Sequence, residues 1–81
     1  MDGIVLMQIT DELSEAKNKF PGFHSLHEGY AVLKEEVDEL WDLVRGKEAE
    51  RDPQLVEREC IQIAAMAIRI ILDCGMQGYR K

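Results

Sequence analysis

The apolar positions of this chain fall into three stretches with a three-and-four spacing, separated by polar punctuation. In the first, Leu6, Ile9, Leu13, Ala16 and Phe20 form one stripe, which predicts an amphipathic helix over residues 3–19. Phe20-Pro21-Gly22 stops it, because proline cannot continue a helix and glycine loosens the chain. Ser25 and Glu28 then stand three residues apart, the spacing of a capping box, with Ser25 as N-cap and Glu28 reaching back. That second helix runs to about residue 45, and Gly46 is placed to end it. After a polar connection over 46–52, Asp52 is a good N-cap and Pro53 suits the first helical position. A third helix is expected from there to about residue 74, closed by Gly75, with an irregular tail over 76–81. No stretch alternates as a strand would. The expected fold is all-α: three main helices in a single domain over 1–81.

Two faces of the second helix compete for attention. Tyr30, Leu33, Val37, Leu40, Trp41 and Val44 make an apolar stripe, the expected core face. Beside it lies Val32, Glu36, Glu39, Leu43, whose ends are apolar and whose middle is two carboxylates. The third helix repeats that pattern as Leu55, Glu59, Gln62, Met66. It is otherwise apolar nearly all round from Cys60 to Leu72, the mark of a central, buried helix.

Packed antiparallel, the two stripes would bring three carboxylates and an amide oxygen together. Unpaired buried carboxylates are disfavoured, and like charges raise one another's pKa. A divalent cation removes both costs. Glu36, Glu39, Glu59 and Gln62 offer only hard oxygens, which suits Mg²⁺, with Mn²⁺ as a substitute, and does not suit zinc. The alternative for a run such as EEVDE at 35–39 is a solvated helix face. Asp38 and Asp42 are expected to be surface acids of that kind, with Glu35 either exposed or supporting the ligands from behind.

Composition narrows the partners. At 81 residues the chain is short for a self-sufficient core, so close packing or oligomerisation is expected. A net charge of −6 lacks the basic footprint of a nucleic-acid binder. The longest apolar run, CIQIAAMAIRIIL, is shorter than a membrane span needs and contains Gln62 and Arg69. The N-terminus has no basic segment of the kind that opens a signal peptide. Cys60 and Cys74 would lie roughly 21 Å apart on one helix, too far to bridge, so two reduced buried thiols in a cytoplasmic protein are expected.

HEGYAVLKEEVDELWDLV followed by ECIQIAAMAIRIILD closely resembles the MazG-like, all-α nucleoside triphosphate pyrophosphohydrolases, in particular their short single-domain bacterial and phage forms. The family signature is E-E-x-x-E, a spacer, then E-x-x-D. Glu35, Glu36 and Glu39 match the first half, and Glu59 opens the second after the spacer at 40–58. Gln62 stands where the family has Asp. The resemblance covers about residues 20–75. It implies Mg²⁺-dependent cleavage of a (deoxy)nucleoside triphosphate to the monophosphate and pyrophosphate, as nucleotide-pool housekeeping. Glu36, Glu39 and Glu59 would hold the metal with Gln62 as fourth group, and Glu35 or Glu36 would act as general base. It also implies a dimer or tetramer in which another subunit completes a four-helix bundle. Gln62 leaves open a second function, a catalytically impaired helical oligomer with a regulatory or interaction role.

Several cations could meet phosphates, Lys34 and Arg69 foremost. Arg69 lies seven positions after Gln62 on the same helix side, and pairing with Asp73 or another acid is its alternative. His24 and His27 flank the capping box and are expected to serve it or pack locally. Trp41 and Met66 are expected in the core, and Asp73 on the surface.

Overall fold

The computed structural model of the chain describes residues 2–19 and 21–75. Phe20 and the 76–81 tail of the sequence reading lie outside them. The described residues form three helices, α1 (Gly3–Lys19), α2 (Leu26–Val44) and α3 (Pro53–Ile70), with no strand among them. A 3₁₀ turn at Glu48–Glu50 sits in the α2–α3 connection, and α3 widens into a π turn at Ile71–Gly75.

The helix starts follow local chemistry. Asp2 Oδ1 accepts from the backbone N–H of Ile4 at 2.7 Å, capping α1. Ser25 Oγ accepts from Glu28 N–H at 3.1 Å, while Glu28 Oε1 reaches back to the N–H of His24 at 2.9 Å. Asp52 caps α3 through Gln54 N–H at 2.9 Å, with Pro53 in the first turn. The end of α2 differs from the expected glycine stop, because Gly46 is not in the left-handed region. Instead Arg51 Nη2 donates to the carbonyls of Val44 and Gly46, at 2.7 and 3.2 Å, and satisfies the helix end from the following segment.

α3 is the central helix and packs against both α2 and α1. α2 and α3 run antiparallel. A Cβ on Gly29 would lie 2.8 Å from Ile70, Glu36 and Glu39 meet Glu59 midway, and Leu43 borders a small cleft with Leu55. The glycine at 29 thus lets the start of α2 close on the end of α3.

The core does not sit where the widest apolar stripe suggests. Tyr30 is 63 % and Trp41 60 % exposed, with Val37 and Val44 also exposed; only Leu33 and Leu40 of that stripe are half-buried. The covered side of α2 falls between the two stripes and consists of Gly29, Val32, Leu33, Glu36, Leu40 and Leu43. Ala16 and Ala65 are the buried apolar residues, and no large side chain is fully buried among the described residues. Cys60 is exposed, contrary to the expected buried thiol, and Cys74 is half-buried with its Sγ 3.4 Å from the Ile70 carbonyl. Both thiols are free.

Candidate functional site

Where α2 crosses α3, Glu36, Glu39 and Glu59 each bring a carboxylate oxygen to within 4.8 Å of the others. Helical spacing puts Glu36 and Glu39 on one side of α2, and the antiparallel packing faces them with Glu59. Oε2 of Glu36 and Oε2 of Glu59 are buried and have no hydrogen-bond partner. Desolvation is the first reason the Glu36 carboxyl is pushed up to about 7 from its ordinary 4.5; the facing Glu59 carboxyl and the charge of Glu39 add to it. An acid held this way is costly to ionise unless a cation arrives. The buried, unpartnered oxygens of Glu36 and Glu59, with the exposed Glu39 carboxylate beside them, are a hard-oxygen set that could hold a small divalent ion of the Mg²⁺ class.

A cleft of about 570 Å³ opens beside Glu36. Its floor is Gln62, Met66 and Arg69 of α3, and its walls include Val32 of α2 and Phe23 from the turn after α1. The lining is mainly apolar, with charge at the rim. Met66, expected in the core, is half-buried and faces this cleft. Gln62 is half-buried and lines the same space as Glu36. Glu12 and Glu15 of α1 also border it, a contribution the motif spacing could not reveal because it comes from a helix outside the motif.

The remaining sequence candidates fall elsewhere. Glu35 is exposed and outside the triad. Lys34, two positions before Glu36, points about 200° away round the helix and pairs with Asp38 at 3.0 Å, both more than half exposed. Asp42 pairs with Arg45 at 3.0 Å on the surface, so Asp38 and Asp42 are the solvated acids expected. His24 and His27 are exposed. Arg69 takes the alternative the sequence left open: it is 3 % exposed and its Nε donates to Asp73 at 3.1 Å. Asp73 is therefore not the surface acid expected; its side chain is 19 % exposed and also accepts the N–H of Phe23 at 3.0 Å.

Comparison with family models, curated proteins and solved structures gives no match. No helix among the described residues is long and apolar enough to cross a membrane.

Proposed function

We propose that this chain is a metal-dependent nucleoside triphosphate pyrophosphohydrolase of the MazG-like kind, releasing pyrophosphate and leaving the nucleoside monophosphate. One observation carries the reading: three carboxylates from two facing helices share one spot, with two of their oxygens buried and unpartnered, beside a cleft whose exposed lining is mainly apolar. Glu36, Glu39 and Glu59 would hold Mg²⁺, or Mn²⁺ in its place, with Gln62 at the cleft edge. The metal would supply charge neutralisation at the phosphate oxygens and acidify an attacking water.

The chain's own residues set the rest. The cleft is sized and lined for an apolar, aromatic ligand part, and it opens directly on Glu36, so the nucleoside end would lie in the cleft with its phosphates toward the carboxylates. Water attacks the α-phosphorus, and the bond to the bridging oxygen of the β-phosphate breaks. Glu36, which belongs to the carboxylate cluster and lines the cleft, would take the proton from that water. Glu35 is exposed and belongs neither to the carboxylate cluster nor to the cleft lining.

The same proposal includes a homo-oligomer, dimer or tetramer. The accessible surface is 6260 Å², against roughly 5,000 Å² for a compact monomer of this mass. Part of the excess is the apolar outer face of α2, which a second copy would cover to complete a four-helix bundle. That face, together with Gln62 in the place of an acid, favours the second reading, a helical oligomer without catalysis.

The deciding experiment is pyrophosphate release from a panel of ribo- and deoxynucleoside triphosphates with Mg²⁺, with Mn²⁺ and with chelator, beside Glu59→Gln. Release that requires metal and falls on the order of 10²–10³-fold in the variant is expected. No release from any nucleotide by a folded protein would transfer the assignment to the non-catalytic oligomer.

A further inference from the structure

Arg69 is the one buried charged residue among those described, and the proposed chemistry leaves it without a task. Its contacts reach three segments. Nε donates to Asp73 Oδ2 at 3.1 Å, Nη1 to the Ala16 carbonyl at 3.1 Å and Nη2 to the Pro21 carbonyl at 2.9 Å. The guanidinium lies 5.5 Å from the centroid of the Phe23 ring, within cation–π range. Asp73 Oδ2 also accepts the Phe23 N–H at 3.0 Å. The Ala16 carbonyl belongs to the last turn of α1. One arginine therefore closes the end of α1 and, with Asp73, pins the turn at 21–23 to α3.

The same helix carries the carboxylate. Glu59, Gln62, Met66 and Arg69 follow one another at three-and-four spacing, so they share a face of α3. From Glu59 to Arg69 is ten residues, about 15 Å of rigid helix. Arg69 is both the far end of the cleft floor and the anchor of the wall that bears Phe23.

We infer that Arg69, acting with Asp73, is a positioning residue for nucleotide: it holds the cleft wall formed by the end of α1 and the 21–23 turn at a set distance from the carboxylates. This rests on the proposed function. Direct capture of a phosphate by Arg69 would require it to surrender buried carbonyl and carboxylate partners, which is costly. A preorganised wall instead lowers the cost of ordering the nucleoside end, which is a binding effect. Lysine cannot reproduce the role, because it lacks the planar fork that reaches three acceptors at once.

Removing Arg69 outright would strand Asp73, so two milder variants carry the test. Arg69→Lys keeps the charge. Gly22→Ala keeps both members of the pair but introduces a Cβ 3.0 Å from Asp73 Cγ, which forces the turn and the carboxylate apart by a few tenths of an ångström. For each, kcat and KM are measured with the best nucleotide at a temperature well below its melting point, together with the Mg²⁺-induced shift in Tm. The expected result is a KM about five- to tenfold higher in Gly22→Ala and higher still in Arg69→Lys, with kcat within twofold and the Mg²⁺ shift unchanged. A lower Tm with KM unmoved in both variants would make the clamp a structural staple and overturn the inference while the enzyme reading stands. A wild-type chain that releases no pyrophosphate overturns the function and the inference together.

Discussion

The two faces of α2 invert the usual order. Its covered side holds Glu36 among Val32, Leu33, Leu40 and Leu43, with the exposed Glu39 at its edge; away from α3 it presents Leu26, Tyr30, Val37 and Trp41, all exposed. One acid, Glu36, is half-buried on the covered side while two aromatics, Tyr30 and Trp41, face outward. Hydrophobic burial dominates folding energetics, so a helix that leaves Tyr30, Val37, Trp41 and Val44 exposed is not at its optimum as an isolated chain. The inner face instead makes sense as a site, where the unfavourable placement of charge is the functional property. The outer face makes sense as an interface. Both readings can be broken separately.

The largest effect is expected at the outer face. Trp41→Glu, and separately Val37→Glu, should convert the proposed oligomer to monomer in sedimentation and lower Tm by several degrees, since a charge at an interface centre leaves its burial uncompensated. Wild-type chain that sediments as a monomer at concentrations of roughly 50 µM, weaker than a stable interface of standard size, would remove the second copy as the explanation for this face.

This inversion also marks how far the sequence could be read. The helix starts at residues 25 and 52 were legible because a cap is local chemistry: Ser25 accepts from the Glu28 N–H, and Asp52 accepts from the Gln54 N–H just past Pro53. The acidic stripe was legible because Glu36, Glu39 and Glu59 sit at positions that periodicity alone puts on one face of each helix. Which stripe of α2 meets α3 was not legible. Periodicity shows that a face is apolar and says nothing about whether its cover lies in the same chain. The role of Arg69 was half legible. Its spacing to Asp73 suggested the pair, but its bonds to the Ala16 and Pro21 carbonyls join residues 53 and 48 positions apart, and no local pattern encodes those.

The inner face predicts a pH signature. Glu36 is raised from 4.5 to about 7 in the folded chain, so between those values the metal-free fold holds a proton that the unfolded chain has released. Stability is then fully present below about 4.5 and falls as pH rises through 7. Glu36→Gln, which carries no titrating proton, should flatten that fall in Tm. Saturating Mg²⁺ should reverse it in wild type, because metal binds the ionised carboxylates and gains affinity with pH. Parallel Tm profiles for wild type and variant across this range would mean that Glu36 is not confined as the packing of α2 on α3 implies.

The smallest effect is expected between the two faces. Lys34 is exposed, pairs only along its own helix with Asp38, and points away from the carboxylates of the same chain. Exposed pairs of this spacing contribute little to stability and are screened by salt. Lys34→Ala should leave Tm nearly unchanged and KM within twofold. A KM that rises several-fold would be more informative than the null result. A lysine that cannot reach its own chain's site could act only on a neighbouring copy's nucleotide. That outcome would join the two faces of α2 into one site shared across the oligomer, with the apolar stripe bringing Lys34 of one subunit to the carboxylates of the next.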